Sequence, residues 1–233
     1  MTSDRRGFVP RVYRDRQGRE HRYMVFVPWN YDRSRPHPAI LFLHGAGEIG
    51  TDGSLPTTAG FGPAIREREE SFPFFAVFPQ SERGGWLAGH AEASRALNIL
   101  AAVTTEFNLD PDRIHLTGVS MGGYGVWSLA IEYPGKWASI VPVSGGGTPA
   151  LAWKIAGVPC WCFHGADDEI IPVQESREMV EAVRAAGGDP IYTEYAAVPH
   201  NCWDLAYRTG ELYVWMTAQT LRRAKARSHQ APM

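Results

Sequence analysis

The sequence predicts an α/β fold, an open and mostly parallel central sheet with helices on both faces. Three observations predict it. Apolar runs of strand length recur at 38–44, 74–78, 113–118, 139–143 and 158–163. Segments of helical period separate several of them, and glycine clusters sit where the runs end. A run that is apolar on every residue suits a strand covered on both faces, which is the condition of a parallel sheet. The chain has 233 residues, 44% hydrophobic and 21% charged, a composition that suits one domain across 1–233.

Taken in order, the first elements are two strands of alternating polarity at about 11–15 and 22–28, suited to an antiparallel edge near 10–28. The buried run 38–44 ends in Gly45-Ala46-Gly47. After the run at 74–78, Ala93, Leu97, Leu100, Ala101 and Thr104 share one helical stripe that Phe107 extends, and Asp110-Pro111 reads as its stop. A second helix starts at Ser120 and ends near Tyr133-Pro134-Gly135. A third covers 174–186 before Gly187-Gly188. A strand follows at 191–197, and a last helix runs from about 204 toward 224. These elements consume nearly the whole length. No room is left for a large cap between the sixth strand and the helix after it, so an open site is expected. Trp127 and Trp137 fall in periodic or strand context and read as core.

Charge and cysteine content exclude several function classes. Lys plus Arg number 23 and Asp plus Glu 25, a net charge of −2, which supplies no general attraction to nucleic acid or anionic lipid. The basic tail at about 225–233 reads as a solvated helix end. No stretch approaches the roughly 18–20 apolar residues of a membrane span, and the charged N-terminus lacks the apolar core of a signal peptide, so the expected location is cytoplasmic. Cys160, Cys162 and Cys202 are too few for a disulfide framework and lack zinc-site spacing. They read as buried thiols, with Cys160 and Cys162 on the same face of a strand. No metal or other cofactor is implied. The pattern sets no oligomeric state.

The chemistry concentrates at strand ends. Gly118-Val119-Ser120-Met121-Gly122 is a G-x-S-x-G turn between a buried strand and a helix. Such a turn needs glycine on both sides of a strained central residue, and it lifts the serine hydroxyl above the sheet at a helix N-terminus. A serine hydroxyl becomes a nucleophile only beside a base, and the base needs a group to orient it. Downstream, the run at 158–163 leads to His164-Gly165-Ala166-Asp167-Asp168-Glu169, a loop rich in carboxylates. The strand at 191–197 leads to Val198-Pro199-His200, a histidine on a loop. The chain order is Ser, Asp, His.

These motifs resemble the α/β-hydrolase superfamily. Within it they are similar to small serine esterases akin to dienelactone hydrolases, feruloyl and acetylxylan esterases and prolyl-oligopeptidase-type catalytic domains. The matching residues span about 41–203. They are His44-Gly45-Ala46-Gly47, Asp110-Pro111-Asp112-Arg113-Ile114, the turn at 118–125, His164-Gly165 with Asp168 and Pro172, and His200 with Trp203. The resemblance implies an α/β-hydrolase fold without a large cap and catalytic roles for Ser120, Asp168 and His200. In its pattern H-G-x-x-D-x-x-V-P the aspartate aligns with Asp168 rather than Asp167. It also implies an oxyanion hole formed by the backbone N–H groups of Met121 and Ala46.

The expected activity is hydrolysis of carboxylic esters through an acyl-enzyme, with a small-molecule or polysaccharide-linked ester as partner. A thioesterase or serine peptidase on the same residues is the alternative, followed by an inactive binding module. Candidate walls of the open cleft are Trp86, Phe61 and Trp203, each with an equal claim to a place in the core. Glu48, just beyond the oxyanion loop, would contact a substrate hydroxyl or pair with an arginine. His44 and His164 would brace their loops through hydrogen bonds, and His21, His37, His90, His115 and His229 carry no catalytic expectation.

Overall fold

Eight strands form one sheet in a computed structural model that describes residues 5–221. The strands are β1 (Gly7–Arg14), β2 (Glu20–Val27), β3 (His37–Leu43), β4 (Phe75–Pro79), β5 (Leu109–Val119), β6 (Ser139–Val143), β7 (Trp161–Gly165) and β8 (Ile191–Tyr195). Their spatial order is β1-β2-β4-β3-β5-β6-β7-β8. The β1–β2 and β2–β4 pairs are antiparallel, and every pairing from β4 through β8 is parallel. This is the α/β-hydrolase arrangement, with its antiparallel edge at the N-terminal end of the chain.

Alternation along the central strands divides the core into two layers. Leu41, Val77, Leu116 and Ile140 face α2 (Ala91–Glu106), α3 (Met121–Glu132) and α4 (Gln174–Ala185), where Ile99, Val103, Val126, Leu129, Met179 and Val183 cover them. Ile40, Phe42, Phe78, Val141 and Phe163 face the other way, toward α1 (Phe61–Arg66), α5 (Trp203–Ala206) and α6 (Gly210–Thr217). Cys160 and Cys162 lie in the first layer and Cys202 in the second, all buried free thiols. Trp127 and Trp137 are fully buried. Residues 144–160, between β6 and β7, carry only a short 3-10 segment at Pro149–Ile155, so no cap covers the C-terminal sheet edge there. No helix among the described residues is long and apolar enough to cross a membrane.

Two expected elements differ. The strand expected at 113–118 starts earlier, because β5 begins at Leu109 and Asp110-Pro111, after α2 ends at Glu106, lies within it. His37 pairs with Leu109 and Ala39 with Ile114, and the four intervening residues bulge between those register points. The last helix is broken at Thr209, whose ψ of 109° is extended, and resumes at Gly210. The break turns the chain so that Tyr207 and Thr117 share a hydrogen bond at 2.8 Å, while Tyr213 donates to the Tyr207 carbonyl at 2.6 Å. Two buried phenols gain partners in this way. That helix ends at Thr217, short of the expected 224, and 218–220 are not helical; 222–224 and the basic tail at 225–233 lie outside the described residues.

Two buried histidines make the fold acid-sensitive. Burial pushes the pKa of His115 down to about 3 and that of His44 down to about 4, from the ordinary 6.5. His115 reaches Ser139 Oγ through Nδ1, and its Nε2 has no hydrogen-bond partner among the described residues. The unfolded chain binds both protons near pH 6.5 and the folded chain does not, so stability falls as pH drops from 6.5 toward 4. Urea denaturation at pH 7.0 and 4.5 is expected to show this loss. His115→Phe is expected to remove up to about 2 kcal/mol of it.

Candidate active site

Close backbone packing places Ser120 where β5 turns into α3. Its φ of 56° and ψ of −118° lie in a strained region for a residue with a Cβ. The neighbouring backbones leave no space for side chains on the flanking glycines. A Cβ on Gly122 would stand 1.9 Å from the Leu43 carbonyl oxygen, and one on Gly118 would stand 2.7 Å from the same atom. The Ser120 amide donates to the Val143 carbonyl at 3.0 Å, tying the turn to β6.

Three loops converge on this serine. His200 Nε2 lies 2.9 Å from Ser120 Oγ, and its Nδ1 lies 2.7 Å from Asp168 Oδ2. With Nδ1–H donating to the carboxylate, Nε2 is the lone-pair nitrogen and the serine hydroxyl donates to it. Asp168 is buried, whereas the adjacent Asp167 and Glu169 are exposed. Asp168 Oδ1 accepts the Ile170 and Ile171 amides at 2.9 and 2.8 Å. Burial opposes its ionisation, but the hydrogen bonds from His200 and the two amides prevail and hold the carboxyl below its ordinary range.

The loop after β3 is pinned from four sides. His44 Nδ1–H donates to the Gly45 carbonyl at 2.6 Å, and its Nε2 accepts the Ser81 amide at 2.9 Å. These two bonds suit the neutral ring that burial favours. Trp86 Nε1–H donates to the His44 carbonyl at 2.9 Å, and Glu48 accepts the Gly45 amide at 2.9 Å. The Ala46 and Met121 amides donate to no protein group among the described residues. Ala46 itself is exposed, at the lip of the loop.

The expected cleft walls divide. Trp203 is half-buried and meets His200 edge-on, with ring centroids 5.1 Å apart. Trp86 is not a wall. It is 1% exposed, packs edge-on against His44 at 4.9 Å and braces the loop after β3. Phe61 is not a wall either. It is buried among Phe42, Phe78 and Tyr207, which approach from three separate elements. Glu48 is half-buried and joins no ion pair with an arginine among the described residues. Its carboxylate folds back on its own loop, and burial raises its pKa. Ile49, Leu87 and Ile170, which the sequence reading did not single out, are exposed apolar side chains on the loops that carry Ala46, Trp86 and Asp168.

Sequence reasoning also missed Ser144. It has a φ of 48°, and its Oγ donates to the His200 carbonyl at 2.9 Å beside Cys202 Sγ. The signal was available as a serine opening Ser144-Gly145-Gly146-Gly147 directly after a buried strand.

Comparison with known proteins gives the chain's family. The Esterase family model, described as "Putative esterase", matches residues 15–189. Feruloyl esterase D of Neurospora crassa is 27% identical over 74% of this chain and 62% of its own length. A bifunctional acetylxylan esterase/xylanase of Neocallimastix patriciarum is 25% identical over 74% of this chain and 25% of its own. The chain therefore spans about three-fifths of the first relative and a quarter of the second. Among solved structures, a thermostable esterase superposes with a TM-score of 0.84 at 31% identity, covering 91% of this chain and 63% of that one.

Ser144→Ala removes the donor to the His200 carbonyl. It is expected to cost about 1 kcal/mol in urea denaturation and to speed amide exchange across residues 199–203, as read by hydrogen–deuterium exchange.

Proposed function

The chain belongs to the Esterase family, and from that premise we propose that it is a serine hydrolase that cleaves carboxylic esters through an acyl-enzyme on Ser120. One observation carries the proposal. The hydrogen-bonded chain from Ser120 Oγ through His200 to Asp168, at 2.9 and 2.7 Å, connects a strained, presented hydroxyl to a base and the base to a buried carboxylate.

In the first stage His200 Nε2 takes the Ser120 proton as Oγ attacks the ester carbonyl carbon. Asp168 holds the Nδ1–H tautomer and stabilises the imidazolium that forms. The carbonyl oxygen becomes an oxyanion and takes the unused N–H groups of Ala46 and Met121, donors already fixed by the pinned loop and the helix start. His200 then gives its proton to the leaving alkoxide. In the second stage water attacks the acyl-enzyme by the same route, and the acid leaves with Ser120 restored.

The substrate reading rests on the surroundings. The site is uncapped, and Ile49, Leu87, Ile170 and Trp203 offer apolar contact on the loops around it. An aryl or short acyl group suits such a rim, with the alcohol free to be as large as a sugar chain. The feruloyl and acetylxylan esterases among the relatives carry names of that chemistry.

Ser120→Ala is expected to lower hydrolysis of p-nitrophenyl acetate by at least about 10⁴-fold while circular dichroism and the melting temperature stay near those of the unaltered protein. Turnover within tenfold of the original contradicts the assignment. The rate is also expected to fall on the acid side within the range where histidine takes up a proton, between about pH 8 and 5. A rate constant down to pH 4 contradicts His200 as base.

A further inference from the structure

Asp168 Oδ2 carries two imidazoles, and the mechanism above uses one. His200 Nδ1 lies 2.7 Å from this oxygen and His164 Nε2 lies 3.0 Å from it. His164, on β7, is fully buried. Its partners determine where its protons sit. Nε2 also lies 3.0 Å from the Ile171 carbonyl oxygen, and a carboxylate and a carbonyl can only accept, so Nε2 bears a hydrogen. Nδ1 lies 2.7 Å from Ser176 Oγ, which also lies 2.8 Å from the Gly145 carbonyl oxygen and has a single proton for the two. In the neutral ring Ser176 turns its hydroxyl to Nδ1. In the imidazolium, Nδ1 would donate to Oγ and Ser176 would donate to Gly145.

The groups that face this ring favour the neutral form. Burial lowers the pKa of His164, against the opposing pull of the Ile171 carbonyl and Asp168. From β8, Glu194 sits opposite His164 in register, but Arg177 and Tyr192 already engage its carboxylate. Burial pushes the Cys162 thiol on β7 up to about 12, so it adds no charge. From α4 the contact is the neutral Ser176 hydroxyl. His200, on the loop after β8, is the one further titratable ring that shares Asp168.

A carboxylate that receives several donors spreads its negative charge among them, and each bond weakens its hold on the others. Resting on the ester-hydrolase reading, we propose that His164 is a positioning residue that divides the charge of Asp168 Oδ2 between two imidazoles, aiming that oxygen at His200 and moderating its pull on the His200 imidazolium. The base is thereby oriented without being held in its protonated form. The second imidazole sits beneath the site, out of reach of any substrate.

The test compares His164→Leu, which removes the donor, with His164→Gln, whose side-chain N–H₂ extends to about the position of Nε2. Each is assayed on p-nitrophenyl acetate from pH 5 to 9, with circular dichroism to confirm folding. In the leucine variant the acid limb of kcat/KM is expected to move up by on the order of half to one pH unit, with kcat falling by on the order of tenfold and KM changing little. The glutamine variant is expected to return the acid limb toward its original position. A folded leucine variant with an unmoved acid limb overturns the proposal, as does a glutamine variant displaced as far as leucine. Should His164→Leu fail to fold, ¹⁵N-histidine NMR of the unaltered protein decides. The expected result is a neutral His164 protonated at Nε2, whose resonance moves as His200 titrates. An Nδ1–H tautomer, or a resonance indifferent to that titration, overturns it. Absence of ester hydrolysis by the unaltered protein would defeat the ester-hydrolase reading instead, and the NMR result would still decide the role of His164.

Discussion

The site depends on one close approach of backbones, the Leu43 carbonyl at the end of β3 against Gly118 and Gly122 on either side of Ser120. Any Cβ at either glycine would press into that oxygen. The contact lets β3 and β5, which are neighbours in the sheet, end level with each other. The loop after β3 then lies beside the first turn of α3. The amides of Ala46 and Met121 come from these two elements, so the same contact that permits the strained serine also sets the spacing of the donors. A strained φ persists only where the surroundings over-determine it. Here the Val143 carbonyl on one side and the Leu43 carbonyl on the other hold the turn.

Around this contact the protein places buried imidazoles with different tasks. His44 is neutral and spans the Gly45 carbonyl and the Ser81 amide, fixing the loop after β3. His164 joins the acid loop to α4 through Ser176. His200, the proposed base, is half-buried. The difference lies in solvent and in partners. Burial favours the neutral ring in His44 and in His164, in the latter despite Asp168 beside it, and both act as rigid struts, whereas His200 stands at the rim.

The strands were legible because parallel strands covered on both faces must be apolar throughout, a pattern that local sequence carries by itself. The turn at Ser120 was legible because its glycines are a steric necessity. The aromatic walls were not. Trp86 and Phe61 each stand next to glycines, as a rim residue would, and only the arrival of His44 against one, and of Phe42, Phe78 and Tyr207 around the other, makes them interior. The break at Thr209 was hidden because the helical pattern continues through it, and the reason for the break, partners for two phenols, comes from distant Thr117 and from a turn within the same segment. Ser144 and Ser176 act on groups more than 30 residues away. The glycines after Ser144 mark a turn, but no short-range pattern names the partner of either serine.

The central claim is that Ser120 carries the acyl group between the two stages. Rapid-quench kinetics with p-nitrophenyl acetate, followed by peptide mass spectrometry of the acid-quenched protein, tests it most directly. The account predicts a burst of p-nitrophenol approaching one equivalent per chain wherever deacylation is the slower step, and an added acetyl mass on the peptide containing Ser120. Steady hydrolysis in which no acetyl mass ever appears at Ser120, or acetyl found on another residue in step with turnover, would contradict it.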